Sequence, residues 1–316
     1  MTRASSVSFL FAGAAVAAGI LAGGQLAACS SSDDATTDSG PHIDTNPDAV
    51  ANQPDAATND DAATGDDAAT TLPTVAEVEP NNGTTTEAGV QTQLVVFPSN
   101  VTGAINPADD IDVFSASLVA GDVWTWTLDA KGSALAPHLG ISELGNKVPT
   151  MAAKGAAGAS AEQEHFVFET ETFFAIVRDA RNVGTSQHVG SAGHTYQLTG
   201  RKTPRAPTAL VVPSTAQGTL RTKTAIATYA FTLTQQTGLD IELKGTRKAP
   251  ASNIDSRMSL FDATKKKYLI TNDDISGSIT DSKVGGVLPP SDYVLVVENV
   301  APDATDLSYE LVTTLR

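Results

Sequence analysis

The chain has 316 residues and a mass of 32.5 kDa, with 20 Lys and Arg against 36 Asp and Glu, a formal net charge of −16. An acidic surface of that size repels phosphate backbones and argues against a nucleic-acid partner. The single cysteine excludes a disulfide framework and any multi-cysteine metal centre, and a 41% hydrophobic content suits packed cores better than a polytopic membrane protein.

The acid is unevenly placed. Residues 1–29 carry Arg3 and no acid, residues 30–72 carry ten Asp and no Lys or Arg, and residues 73–316 carry 26 acids and 19 bases. After Arg3 the chain is apolar and rich in Ala and Gly through Ile20 and Leu21, and it closes on Leu26-Ala27-Ala28-Cys29. A basic start, an apolar stretch and small residues before a break describe a secretory signal over residues 1–28, with an uncleaved signal anchor as the alternative. The Leu-Ala-Ala-Cys tetrapeptide resembles the lipobox of bacterial lipoproteins. That resemblance implies cleavage before Cys29, a diacylglycerol thioether on its sulfur and an acylated amine. Each buried CH₂ contributes about 0.8 kcal/mol, so two or three acyl chains make a firm membrane anchor. Ser30, not Asp, follows the cysteine, which by analogy with Gram-negative sorting implies the outer membrane.

Residues 29–74 form the next segment. Asp, Ala, Thr, Asn and Pro recur in it and aromatics are absent, so it buries too little apolar surface to offset its ordering entropy and reads as a disordered linker. As a flexible coil its 43 residues between 30 and 72 span about 35 Å. A spacer lifting a folded module off the membrane is the expected role, and an acidic tail that chelates calcium or binds a partner is the alternative.

From Val75 onward the hydrophobic pattern has period two, the mark of half-buried strands. Phe114, Ala116 and Leu118 alternate, then Trp124, Trp126 and Leu128, then Phe166 and Phe168, Phe173 to Val177, and Tyr196 and Leu198. Residues 152–161 contain Gly155 and Gly158 and read as a loop. The second half repeats the layout: Tyr229, Phe231 and Leu233, then Leu239, Ile241 and Leu243, Met258 and Leu260, Tyr293 to Val297, and Tyr309 and Leu311. Phe114 and Tyr229 lie 115 residues apart, Leu139 and Met258 119, and Tyr196 and Tyr309 113. Offsets this steady indicate an internal duplication. The expected architecture is all-β, with two tandem antiparallel β-sandwiches of jelly-roll type over residues 75–203 and 207–316, joined at a proline-rich segment.

The opening Glu77-Val78-Glu79-Pro80-Asn81-Asn82, the Gly103 turn and Asp109-Asp110-Ile111-Asp112-Val113-Phe114 resemble the start of a bacterial pre-peptidase C-terminal (PPC) domain. The second half shares the later pattern, with Leu260-Phe261-Asp262, Asn272-Asp273-Asp274 and Asp292-Tyr293, but lacks the E-x-E-P-N opening. The family consists of sandwiches often appended to secreted peptidases and includes the collagen-binding domains of clostridial collagenases. In that branch the opening acids bind calcium. The resemblance therefore implies Glu77, Glu79, Asn81, Asn82, Asp109 and Asp112 as ligands of Ca²⁺, a hard cation that takes six to eight oxygens. Asn82 stands where the family often has Asp, which lowers the charge of the site. The alternative is that these acids are solvated turn residues. Asp255, Asp262, Asn272, Asp273, Asp274 and Asp281 form a second acidic set whose ordinary role is in turns.

Trp124 and Trp126 share a strand face and fit either a core or an exposed stacking platform. Lys265-Lys266-Lys267 reads as a solvated hairpin turn. No H-E-x-x-H or G-x-S-x-G motif is present, and His138, His165, His188 and His194 show no metal-ligand spacing. The expected function is therefore non-catalytic: an envelope lipoprotein presenting two modules that bind an extracellular polysaccharide, protein or envelope partner. A hydrolase with an Asp/Glu site between the sandwiches and a structural spacer are the alternatives.

Overall fold

The computed structural model describes residues 71–81, 92–143 and 152–316. The signal, Cys29, most of the acidic linker and Asn82 lie outside the described residues. Among those described, the secondary structure is all β apart from one 3-10 turn at Ala180–Asn182.

Ten strands build the first sandwich: β1 (Thr74–Ala76), β2 (Gln93–Leu94), β3 (Ser99–Ala104), β4 (Asp112–Leu118), β5 (Val123–Asp129), β6 (Pro137–Glu143), β7 (Ala153–Lys154), β8 (Ser160–Phe166), β9 (Glu171–Asp179) and β10 (Thr195–Lys202). Nine build the second: β11 (Thr208–Ala209), β12 (Ser214–Thr219), β13 (Ala227–Leu233), β14 (Thr237–Lys244), β15 (Ser256–Asp262), β16 (Lys267–Asn272), β17 (Lys283–Leu288), β18 (Ser291–Asn299) and β19 (Ser308–Leu315). The sheet orders are β1-β3-β10-β5-β8 and β2-β4-β9-β6-β7 in the first, and β12-β19-β14-β17 and β11-β13-β18-β15-β16 in the second. Adding nine to each strand number from β2 to β10 of the first sandwich reproduces the second, and β1 alone has no counterpart. The duplication read from aromatic spacing is thus a duplication of topology.

The alternating residues fill the space between facing sheets. Phe114, Leu139, Phe173 and Val177 of one sheet pack against Trp126, Leu128, Tyr196 and Leu198 of the other. In the second sandwich, Phe231, Met258, Leu260 and Leu295 meet Leu239, Ile241, Leu243 and Leu311. Trp124 and Trp126 are both core residues, stacked with ring centroids 5.8 Å apart, which settles their role as packing. Residues 152–161 differ from the loop expectation. Short β7 pairs with β6 through Ala153 and Lys154, and β8 begins at Ser160. The glycines that suggested a loop occupy the turn between them.

The two sandwiches share a third apolar cluster. Ala120, Val123, Phe166 and Phe168 of the first bury against Ile226, Phe261, Val294 and Val296 of the second. Phe166 and Phe261 meet edge to face at 5.2 Å. Gly121, at φ +91, lets the β4–β5 turn lie against this contact, where an added side chain would meet Lys266 Nζ and the Phe261 ring. Lys266 reaches over this turn, while Lys265, Lys266 and Lys267 are all exposed as expected of a solvated hairpin, and Lys265 is ion-paired with Asp262 at 2.8 Å.

Polar groups complete the joint. The Glu164 backbone N–H donates to Thr224 O at 2.9 Å. The buried Glu164 carboxylate accepts from Arg205, from Arg221 at 3.2 Å and from the Ile226 N–H at 2.9 Å. Burial pushes the Glu164 pKa up, but Arg205, the Ile226 N–H and Arg221 together hold it below the ordinary range. Arg257 and Glu298 form a second buried pair at 3.0 Å. Beside them, fully buried His165 is pushed down to about 3 by desolvation, with the Arg257 charge adding to the effect.

Two expected outcomes follow from this joint. Phe261→Ala removes a ring shared by both sandwiches and costs about 3–5 kcal/mol; calorimetry should show the second sandwich melting ahead of the first. His165 takes a proton in the unfolded chain near pH 6.5 but refuses it in the folded one. Its contribution is fully present above pH 6.5 and is lost as the pH falls from there toward 3. Denaturant melts of His165→Leu should therefore depend less on pH across that window than those of the native chain.

Candidate functional site

The lead-in residues after β1 are tied to the sandwich by their backbone. The Glu77 N–H donates to Thr102 O at 2.9 Å, and the Val113 N–H donates to Asn81 O at 3.0 Å. These bonds hold residues 77–81 across the end of β3 and the start of β4. Glu77, Glu79 and Asp112 then converge, each with a carboxylate oxygen within 4.8 Å of the others'.

Each carboxylate is fixed. Glu77 Oε2 accepts the Ala104 N–H at 2.9 Å, and Glu77 Oε1 accepts from Asn81 Nδ2 at 3.0 Å. Glu79 Oε2 accepts the Asn81 N–H at 3.0 Å, so buried Asn81 positions both glutamates. Asp112 has no solvent exposure. Its Oδ2 accepts the Tyr196 hydroxyl at 2.6 Å, and the same hydroxyl lies 3.3 Å from Glu77 Oε1. Its Oδ1 has no hydrogen-bond partner among the described residues.

The electrostatics follow from this crowding. Burial is the largest cause pushing the Asp112 pKa up to about 9, with Glu77 beside it next; Tyr196 pulls the other way. Burial also raises Glu79, opposed by the Asn81 N–H and reinforced by Asp110 and Glu77. Burial and the two carboxylates raise the Tyr196 phenol, which stays a protonated donor. A carboxylate cluster in this state requires a proton or a cation among its oxygens. An all-oxygen donor set with one buried, unpartnered carboxylate oxygen fits a hard divalent cation.

The six residues expected as ligands divide. Glu77, Glu79 and Asp112 come together, with Asn81 as their support, and Asn82 lies outside the described residues. Asp109 does not join them: its backbone takes φ 68, and its exposed carboxylate bonds His188 Nδ1. Although the two aspartates lie three residues apart, they do not face one site. Asp110 faces the cluster instead, accepting the Asn106 and Ile111 N–H groups at 3.0 Å each. Sequence reasoning also missed Tyr196, which looked like one more core aromatic, and Gly103. Gly103 pairs in register with Tyr196, and any Cβ there would collide with Glu77 Oε2 and the Tyr196 hydroxyl.

The second sandwich keeps the frame and lacks the acids. Tyr309 pairs in register with Gly218 as Tyr196 does with Gly103. The duplication places Ala227 where the first sandwich has Asp112 and Tyr229 where it has Phe114. The Tyr229 hydroxyl meets the Tyr309 hydroxyl at 2.7 Å, satisfying within the core what Asp112 satisfies in the first. Two members of the second acidic set are taken up by their own loops, while Asp255 is raised by burial and by the charges of Asp274 and Asp273. Asp281 accepts the Gly245 and Thr246 N–H groups at 2.8 Å and pairs with Arg247, and Asp262 holds Lys265 and accepts from Ser291 at 2.7 Å. Between the sandwiches, Glu162, Glu164 and Glu298 are each held by arginine.

No protein-family profile and no curated protein sequence matches the chain. Solved structures do. The chain is similar to the pre-peptidase C-terminal domain of collagenase from Bacillus anthracis, at 17% identity and a TM-score of 0.30 over 36% of this chain and all of that one. It is also similar to the CUB1-EGF-CUB2 fragment of human MASP-1/3, at 6% identity and a TM-score of 0.21 over 68% of this chain and 99% of that one. A third is the M60 catalytic domain with CBM51-1 and CBM51-2 of Clostridium perfringens ZmpB, at 7% identity and a TM-score of 0.22 over 67% of this chain and 34% of that one.

Two substitutions probe the cluster. Asp112→Asn keeps an acceptor for Tyr196 and removes a carboxyl that must take up a proton to be buried at neutral pH, so without metal it should stabilise the chain, by about 1–2 kcal/mol in chemical denaturation. Gly103→Ala places a methyl group among the Glu77 and Tyr196 oxygens and should cost about 1–3 kcal/mol. Loss of stability in the Asn variant would show that Asp112 is needed as a carboxylate for the fold itself.

Proposed function

We propose that the chain is a non-catalytic cell-envelope lipoprotein, anchored in the outer membrane through acylated Cys29, which presents two β-sandwich modules to an extracellular polysaccharide, protein or envelope partner. One calcium ion belongs to the first sandwich, held by Glu77, Glu79 and Asp112. When bound, it neutralises the cluster and ties the lead-in segment to β4.

The observation that carries the non-catalytic reading is the condition of the carboxylates. General acid–base chemistry needs an acid that reaches its substrate. Asp112 has no exposure and is capped by Tyr196. The glutamates between the sandwiches are spent on arginines, which counts against a hydrolytic Asp/Glu pair there. Calcium is supported by the all-oxygen donor set and by the unpartnered Asp112 Oδ1. Among the described residues, the three-carboxylate cluster occurs in the first sandwich, which supports placing the ion there.

Calorimetric titration of the full chain with calcium should give one site and a higher melting temperature, both lost in Asp112→Asn. Neither heat nor a melting shift at millimolar calcium would remove the calcium reading. Palmitate labelling in a bacterial host should be lost in Cys29→Ser. A glycan array and a pull-down from envelope extracts should separate a binding module, which captures a ligand, from a spacer, which captures none.

A further inference from the structure

A cleft of about 550 Å³ lies between the two sandwiches, within the range of small-molecule sites. The first sandwich contributes His138 of β6, Lys154 of β7 and Glu162 of β8; the second contributes Thr222, Lys223 and Pro302. Its charges are unequal. Glu162 is neutralised by Arg221 at 2.6 Å. The Lys223 amine donates only to a neutral carbonyl, Pro302 O, at 2.8 Å. Lys154 has no ion pair or hydrogen bond among the described residues. Two ammonium groups without counter-charge thus line one cleft, on a folded part whose acids outnumber its bases. Among the other polar groups, His138 accepts a long contact of 3.4 Å from Arg178 Nε at its Nδ1, which leaves Nε2 as the protonated, donating nitrogen. Ser160 and Thr224 add two hydroxyls, and Ala152, Ala153, Ala161 and Pro302 supply a small apolar surface.

We propose that this cleft binds an acidic sugar of one or two rings. Its carboxylate would lie between Lys154 and Lys223, its hydroxyls would face Thr222 and Glu162, and its C–H faces would rest on the alanines and Pro302. The inference rests on the reading of the chain as a binding module and adds a place and a ligand class to it. A cleft lined by donors and by two unpaired cations selects an oxyanion over a neutral sugar, because a neutral ring leaves both ammonium groups uncompensated.

The test is calorimetric titration of the full chain with α-1,4-digalacturonate, with neutral digalactose as the comparison. The acidic disaccharide should bind and the neutral one should bind at least tenfold more weakly. Lys154→Ala and Lys223→Ala should each weaken digalacturonate about tenfold, the scale of one charge-assisted hydrogen bond, with unchanged melting temperatures. Lys131→Ala, whose lysine pairs with Asp129 elsewhere, should change nothing. Equal binding of the two sugars, no binding of the acidic one, or indifference to both lysines would overturn the assignment. The Lys154→Ala/Lys223→Ala chain on a glycan array distinguishes the two levels. Array signals that survive in it leave the binding-module reading standing and the cleft assignment fallen. A native chain with no signal at all takes both away.

Discussion

The Asp112 carboxylate sits at the end of a sandwich core with no access to water, and a buried charge must be compensated. Tyr196 supplies one hydrogen bond to it from across the core, and the lead-in segment brings two glutamates to the same place. Those glutamates add to the repulsion while they add oxygens. The mouth of the first sandwich is therefore a place where folding and cation chemistry are the same problem. Gly103 is what allows it, since its missing Cβ is the space in which the Tyr196 hydroxyl and Glu77 meet.

The second sandwich shows the alternative solution to the same geometry. Its Tyr–Gly register is intact, but a second tyrosine replaces the acids, and two hydroxyls satisfy each other. At this end of the core the first half has a charged mouth and the second a neutral, self-contained one. The strand that brings the glutamates, β1, is also the one strand without a counterpart, so the acidic mouth and the extra strand belong together.

Much of the fold was legible because β-sandwich cores impose period two. Phe114–Leu118 and Tyr229–Leu233 announced their strands and their equivalence. The loop expectation at residues 152–161 failed because glycine marks a turn without saying how short the flanking strands are. At the site, the acids of the E-x-E-P-N run and Asp112 could be picked out by type. Asp109 could not be separated from Asp110 by type, since the fold around them decides which of two adjacent aspartates faces inward. Tyr196 was hidden by its own hydrophobicity, because a core tyrosine and a site tyrosine alternate alike. Only its register against a glycine distinguishes it, and register is a long-range property.

The segment between the sandwiches, Thr203 to Pro207, has the prolines of a linker, yet Arg205 within it grips Glu164 and the Ile226 carbonyl. A connector that is itself part of the joint leaves no hinge. Anything that touches both bodies at once meets a preassembled surface, so the entropy of bringing two halves together has been spent during folding and is not charged again to each encounter.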